Sequence, residues 1–424
     1  MLSPQRQLPS ALALSIRNTL NTGFPAFYIF LLTAATFIHK NPEKRKPKTP
    51  RRAANQETSM KVSHVVLSTL AVAAASAAPS TFAQSSITLY GIIDAAVQYA
   101  HTGGQTVVRQ DSSSVAPSRW GLTGQEDLGR GYTAVFKLEN GFNVNNGTIA
   151  GNGALFNREA WVGIRGPFGQ VQFGNNYTPL FITYVNYSLG ELNTLAWGNA
   201  ANNYVFVPSA RTANSVRYTS SVLGGFTLRA LYARGTNGAS AAPASLGDTA
   251  SAGLNFKAGS FSADADYLQQ RFAATATITP TTSVQTGRYF LFAASYDFGF
   301  IKPSALYQIH RNAGGLTSSI SSAYASPNHD FYEVNALIRH VVGGSLLVSF
   351  GQYFLKANGN GDSTSYGLRY DYRLSKRTGV YAGVAAVRNH SKASFSVSNA
   401  GGPGIPVAAG NNITSGIVGI VHTF

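Results

Sequence analysis

The sequence contains no cysteine, and only 12% of its 424 residues are charged. The absence of cysteine excludes a disulfide scaffold and a thiolate metal site. The Leu, Glu and Lys spacing that is typical of long helices is also scarce. Glycine (43 residues), tyrosine (21) and phenylalanine (25) are abundant instead. This composition favours an all-β fold.

The formal net charge of +16 is concentrated at the N-terminal end. Residues 1–83 hold ten lysines and arginines and two acidic residues, so removing them lowers the charge from +16 to +8. A nucleic-acid-binding domain needs a basic patch or a recognisable binding motif, and we find neither after residue 83. The basic run at residues 44–48 could contact nucleic acid, but we interpret it as a solvated, disordered run. We therefore predict no nucleic-acid partner.

Sequence motifs for catalysis are absent as well. The eight histidines are scattered, and the sequence contains no nucleophile elbow, P-loop or paired metal-binding histidines. A catalytic triad is defined in space rather than in sequence, so a hydrolase built into the fold stays an alternative. His310, His340 and His390 lie near the ends of segments, where rim positions are expected. We predict no enzymatic activity, no cofactor and no metal.

The N-terminal region reads as a targeting segment that follows an unrelated extension. From Met60, the sequence has a positive residue, an apolar run from Val65 to Ala78, and small residues before Gln84. This pattern predicts a secretory signal peptide over residues 60–83, with cleavage after Ala83. Residues 1–59 are interpreted as a non-native extension from an unused upstream start. The alternative is a cytoplasmic extension or anchor.

The stretch from residue 118 to residue 139 shows the pattern that recurs along the rest of the chain. Within residues 132–139, apolar side chains occupy the even-numbered positions, and mostly polar ones occupy the odd-numbered positions. Side chains alternate between the two faces of a strand, so this is a strand with one apolar face. We interpret that face as turned outward to lipid rather than inward to a soluble core.

About sixteen such segments follow, many near the ten residues that cross a bilayer obliquely. They lie near residues 87–99, 118–129, 132–139, 156–165, 168–174, 213–220, 224–234, 250–258, 260–271, 287–298, 301–311, 329–339, 344–356, 363–373, 378–389 and 413–424. Short turns alternate with long polar loops, the layout of an outer-membrane barrel. Residues 101–117 are expected to form a polar loop. Residues 84–424 are thus predicted to form an antiparallel transmembrane β-barrel.

A large soluble β-protein would show the same alternation. The signal peptide, the alternation of short and long connectors, and aromatic residues at segment ends argue against it. Examples of these aromatic residues are Tyr90, Tyr132, Tyr372 and Tyr381. The last segment ends on Phe424 and is expected to close the sheet against the first strand.

Several short motifs make the chain similar to a known family. They are Leu89–Asp94, Ser118–Gly129, Phe156–Arg158, Val162–Gly163, Tyr177–Leu180, Asn214–Tyr218 and the terminal Phe424. Together they resemble the general porins of Gram-negative beta-proteobacteria over residues 85–424. The resemblance implies a sixteen-stranded homotrimer in outer-membrane lipid that passes small hydrophilic solutes. It also implies that barrel-assembly machinery recognises Phe424.

The same resemblance suggests where a constriction forms. The third long loop of the family folds into the barrel, and the connector at residues 175–210 holds that place here. A loop that caps the outside is the alternative. Glu191 is the only charged residue of this connector. The connector lacks the acidic Pro-Glu-Phe-Gly-type signature of many relatives, which leaves the shape and charge of the constriction open.

The wall opposite the loop is expected to be basic. The resemblance implies that Arg119, Arg158 and Arg217 line the constriction, and Lys137 and Arg211 are further candidates. Each arginine could instead lie in a salt-bridge ladder or at the rim. With one acidic residue on the loop, we predict a weak to moderate preference for anions.

The function predicted from the sequence is passive diffusion through a water-filled barrel. One alternative is a substrate-selective channel, which would show saturable conductance for one solute. The other is a barrel without transport activity, acting as an adhesin or an enzyme, which would have a plugged lumen or hydrolytic activity.

Overall fold

The computed structural model describes residues 86–151, 153–195, 197–203, 210–235, 245–273, 284–312, 328–356, 359–400 and 404–424. The predicted extension at residues 1–59 and the predicted signal peptide at residues 60–83 lie outside these ranges. Among the described residues, no helix is long and apolar enough to cross a membrane.

Antiparallel strands dominate the described chain, as predicted. The strands are β1 (Ser86–Thr102), β2 (Gln105–Ser112), β3 (Arg119–Gly129), β4 (Tyr132–Gly141), β5 (Glu159–Gly166), β6 (Gly169–Tyr177), β7 (Arg211–Thr219), β8 (Phe226–Ala233), β9 (Thr249–Ala258), β10 (Phe261–Ala273), β11 (Val284–Tyr296), β12 (Ile301–Arg311), β13 (His329–Val341), β14 (Gly344–Leu355), β15 (Ser363–Arg373), β16 (Thr378–Asn389) and β17 (Ile413–Thr423). Two helices, α1 (Pro179–Tyr187) and α2 (Ala200–Asn203), lie between β6 and β7, and a 3-10 turn, Gly359–Gly361, lies between β14 and β15.

The sheet closes into a ring of sixteen strand positions, which confirms the predicted barrel. Strand β1 pairs with β17 along one edge, from Ile92 to Thr102. On its other edge, β1 pairs with β3 over Ser86–Ile92 and with β2 over Ala95–Thr102. Strands β2 and β3 therefore share one position in the wall, and residues 113–118 form an interruption between them. Closure pairs the backbone groups that an open sheet edge would leave exposed to lipid.

The hairpin of β1 and β2 replaces the polar loop that was expected at residues 101–117. Gly103 and Gly104 have φ angles of +54° and +79°. Positive φ at both central residues is what a tight two-residue hairpin turn requires, and glycine adopts it without steric cost. The Gly-Gly pair was therefore a readable signal for a hairpin, and the expectation of a loop there was wrong.

Apolar side chains face outward, as the alternation predicted. On β1, Ile87 is 69% exposed, and on β17, Val418 is 65% exposed. Both would contact lipid in a bilayer, where their exposure carries no cost. Tyr90 and Tyr381, which were expected in an outer aromatic girdle, face inward instead. Tyr90 donates a hydrogen bond to Glu139, and Tyr381 is 2% exposed.

His310 and His329 also depart from the expected rim positions. They are paired across β12 and β13, and both are buried on the inward face. Their ring centroids are 4.0 Å apart in an edge-to-face arrangement. Aromatic rings on both sides, Tyr289 and Tyr353, complete this cluster. Its members come from four neighbouring strands, so no local pattern of the sequence announces it.

Candidate functional site

The connector between β6 and β7 contains a helix that packs on the inner wall. Helix α1 begins after Thr178, whose hydroxyl accepts a hydrogen bond from the Phe181 backbone at 3.3 Å, with proline at the first helical position. Both features are typical of a helix start. On the inner wall, Asp264 of β10 accepts hydrogen bonds from Tyr187 at 2.7 Å and from Thr183 at 3.1 Å. Burial raises the pKa of Tyr187 above its ordinary value, so its hydroxyl stays a donor.

The second half of the connector is held by buried charged residues of the opposite strands. Arg369 of β15 donates to the Leu195 carbonyl at 2.5 Å and to the Thr194 hydroxyl at 2.8 Å. Glu333 of β13 accepts from Ser188 and from Asn199, each at 3.1 Å. Charge-assisted hydrogen bonds are the stronger kind, particularly in a buried environment. The connector is therefore fastened to β10, β13 and β15 on their inward faces.

Two further segments turn inward and meet this connector. The first is the interruption at residues 113–118, where Asp94 accepts the backbone N–H groups of Val115 and Ala116 at 2.7 and 2.8 Å. The second is the loop at residues 390–412, where Asn399 accepts from the Trp197 indole at 2.9 Å. Sequence reasoning treated both as ordinary loops. The lumen is consequently narrowed by three segments.

Five cationic side chains lie together on the inward face of β3–β7, opposite the strands that hold the connector. We call this set, with its two carboxylates, the basic wall; its members are Arg119, Lys137, Arg158, Arg211, Arg217, Glu139 and Glu159. All five cations were predicted site residues. The two carboxylates were not predicted as site residues, although Glu139 shares the polar face of Lys137 in the alternating pattern. That alternation was the signal that could have found it.

Glu139 is the centre of the first half of the basic wall. Its carboxylate lies 2.6 Å from Arg158 Nε, 3.5 Å from Arg119 Nε and 3.5 Å from Lys137 Nζ. Lys137 also forms an ion pair with Glu159. The side chains of Arg119 and Lys137 keep 21% and 25% exposure. Three cations around one carboxylate leave an uncompensated positive charge that faces the lumen.

Tyr177 at the end of β6 organises the second half. Its hydroxyl accepts from Arg158 at 2.7 Å and from Arg211 at 3.1 Å, and its backbone carbonyl lies 3.5 Å from Arg217. The Arg211 guanidinium also lies 4.7 Å from the centroid of the Tyr177 ring, which allows a cation–π contact. Phe181 stacks on the other side at 5.1 Å. Tyr177 therefore links the arginines to the start of α1.

Glu191 lies apart from the basic wall. Its carboxylate is 3.4 Å from Arg339 and 3.8 Å from Arg373, and Arg373 also binds its backbone carbonyl. Arg339 in turn pairs with Asp297, beside the short turn between β11 and β12. The structure therefore brings the five predicted cations together and places the predicted acidic residue in a different cluster. Glu191 is compensated there by two arginines.

Comparisons with known proteins bear on this arrangement. The sequence profile of Gram-negative porins matches residues 69–392. The chain belongs to the Gram-negative porin family. Outer membrane porin protein 32 of Delftia acidovorans is 30% identical to this porin over 376 residues, which cover 84% of this chain and 99% of the relative. The family resemblance predicted from short motifs is thus confirmed.

Solved structures agree with the fold of this porin. An anion-selective porin from Comamonas acidovorans superposes with a TM-score of 0.67 at 26% identity, covering 80% of this chain and all of the other. A trimer form of OmpT, an outer membrane protein of Vibrio cholerae, gives a TM-score of 0.58. It covers 80% of this chain and 99% of its own, and at 16% identity it shows the shared fold alone.

Family membership fixes the location and the class of this protein. It is an outer-membrane protein of a Gram-negative bacterium, as predicted. It is a β-barrel porin whose fold suits a diffusion channel. Family and fold point to a channel rather than to an enzyme.

Proposed function

We propose that this porin passes small hydrophilic solutes and ions by passive diffusion, with a weak to moderate preference for anions. The basic wall carries this proposal. Five cations face two carboxylates there, while Glu191, the acidic residue of the connector, is bound by Arg339 and Arg373. An ion in the narrow water between the wall and the connector would therefore experience a net positive field.

Arginine suits this role because its guanidinium stays charged at every physiological pH. The contacts of Tyr177 and Glu139 also hold these side chains against the wall. A fixed cation attracts anions without closing over them, and weak, repeated attraction is what permits conduction. The relative that is named an anion-selective porin supports the sign of the proposed preference.

We propose a homotrimer for the assembled porin. The trimer form of a structural neighbour supports this assembly, and apolar outward faces such as that of β17 could be shared between protomers as well as with lipid. We also propose that residues 60–83 are a signal peptide and that residues 1–59 are not part of the native protein.

Phe424 is proposed as the residue that barrel-assembly machinery recognises. Its backbone exchanges two hydrogen bonds with Gly91, at 3.0 and 3.1 Å, and its ring is 41% exposed. A Cβ on Gly91 would lie 2.2 Å from that ring, so glycine makes room for it. An exposed terminal aromatic at the closing seam would be accessible to a recognising protein before closure.

Liposome swelling tests passive diffusion. Proteoliposomes containing the mature chain from Gln84 should swell in neutral sugars at rates that fall steadily with sugar size and do not saturate. Anionic sugar acids should enter faster than neutral sugars of the same size. Saturation by one solute would support the substrate-selective alternative, and no swelling by a folded barrel would contradict the porin function itself.

A further inference from the structure

A row of cations lies on the outward face of the barrel, at the end that carries the long loops. Arg271 of β10, Arg288 of β11 and Arg311 of β12 are adjacent to the connectors at residues 274–283 and 313–327, and Lys356 follows β14. We call these four residues the rim cations. Their outward direction follows from alternation, since neighbours such as Tyr289 and His310 are buried on the inward face.

Two of the rim cations are placed directly against each other. Arg288 and Arg311 are partners in the register of β11 and β12, so both side chains leave the same face. Side chains at directly opposite positions are about 5 Å apart at Cβ, and like charges there are destabilising. An arrangement of this kind needs a counter-charge.

The protein supplies one acidic residue to this region, and it does not serve all four cations. Asp330 lies 2.5 Å from Arg311 and 2.8 Å from Lys356, and it also accepts a hydrogen bond from Tyr307 at 2.9 Å. Within the described ranges, Arg271 and Arg288 form no ion pair. The region therefore keeps an excess of positive charge on a surface that faces away from the lumen.

Aromatic rings lie next to the rim cations on the side of the bilayer centre. Tyr267 and Phe290 face outward from β10 and β11 with ring centroids 5.0 Å apart, and Tyr332 and Phe354 form a similar pair at 5.9 Å on β13 and β14. Outward aromatic rings mark the boundary between hydrocarbon and headgroups. The rim cations are thus at headgroup level, at the end where porins of the outer membrane carry their long extracellular loops.

We propose that the rim cations bind the phosphate groups of a phosphorylated glycolipid in the outer leaflet. Phosphate is the ligand chemistry that fits, because arginine donates paired hydrogen bonds to its oxygens. A phosphate between Arg288 and Arg311 would also compensate the like-charge pair. The source is a lipid headgroup rather than free phosphate, because the site opens sideways above the aromatic rings and not into the aqueous lumen.

The test compares lipid binding by the full mature barrel and two charge variants in detergent. The probes are bisphosphorylated lipid A, the same lipid after enzymatic dephosphorylation, and inorganic phosphate, with binding followed by native mass spectrometry. The test variant is Arg271→Gln/Arg288→Gln, which leaves Asp330 with both of its partners. The control is Arg130→Gln/Lys376→Gln, which removes the same charge from exposed short turns at the opposite rim. Channel conductance reports whether each variant is folded.

Wild type and control should bind bisphosphorylated lipid A equally. The test variant should bind about thirtyfold more weakly, since each cation at an anionic lipid surface contributes about a factor of five. Its conductance should be unchanged. Equal affinity of wild type for the dephosphorylated lipid, or equal losses in test variant and control, would overturn the proposal. Displacement of the lipid by dilute inorganic phosphate would overturn the lipid headgroup as the source.

Discussion

Replacing Arg369 with methionine should detach the middle of the inward connector from the barrel wall. The Arg369 side chain is 1% exposed and forms a two-bond ion pair with Asp371 at 2.7 and 2.8 Å. The same guanidinium donates to the Leu195 carbonyl and to the Thr194 hydroxyl of the connector. Methionine keeps much of the side-chain volume but makes none of these contacts.

The expected loss follows from these bonds. A hydrogen bond from a charged group contributes about 1.5–3 kcal/mol, so two of them fasten the connector by about 3–6 kcal/mol. The variant Arg369→Met also leaves Asp371 buried without a cation, a change that costs about 3–5 kcal/mol. These two effects overlap. The double variant Arg369→Met/Asp371→Asn should therefore regain about 2–3 kcal/mol of the total loss.

Equilibrium unfolding in urea measures the loss in stability, and cleavage of the connector by added protease measures its detachment. Channel noise should also rise, because a loosened connector moves in the lumen. Arg373→Met is the matched control, since Arg373 binds the connector at Glu191 from a 44% exposed position. Exposed ion pairs contribute about 1 kcal/mol or less. Equal losses in Arg369→Met and the control, or no recovery in the double variant, would refute the reasoning.

Three other changes have defined outcomes. Gly351→Val should lower the urea midpoint by about 1–3 kcal/mol and raise channel noise, since a Cβ there would lie 2.3 Å from that of Ala200; quiet channels would contradict this. The hydrogen bond from Arg339 holds the pKa of Asp297 below its ordinary 3.8, so the stability that Asp297→Asn removes should be present above about pH 4 and vanish as the pH falls through the lowered pKa. Tyr177→Phe should reduce anion preference while conduction persists; an unchanged reversal potential would count against its organising role.

The barrel wall could be predicted from the sequence because each strand records its own two faces. Alternation along residues 132–139 identifies the lipid-facing side without knowledge of any neighbour. The strand shared by β2 and β3 was predicted only in part, because residues 113–118 interrupt it and point inward. What holds that interruption is Asp94, which lies more than 20 residues earlier in the chain.

The composition of the basic wall was also partly predictable. Its cations lie in polar-facing series or in family motifs, so they could be singled out one at a time. Their partners could not be, because Arg158 meets Tyr177 across 19 residues and a strand pair. The position of Glu191 was beyond reach of local pattern for the same reason. Arg373, which binds its carbonyl, is 182 residues away in the sequence.

The inward fold of residues 390–412 illustrates the limit most clearly. This segment is polar and rich in glycine, and its sequence resembles that of any exposed loop. Its burial depends on Trp197, which donates to Asn399 from 202 residues away. Phe395 and Val397 are buried beside it. Contacts between two loops from distant parts of the chain leave no periodic signal in either one.

The reversal potential of single channels in a steep KCl gradient tests the central claim most directly. Wild type should reverse on the anion side, because the basic wall exceeds its carboxylates. Arg211→Gln/Arg217→Gln should move the reversal potential toward zero, while Arg130→Gln/Lys376→Gln, with the same loss of charge at exposed turns, should leave it in place. Reversal of the wild type on the cation side, or equal shifts in both variants, would contradict the assignment of selectivity to the basic wall.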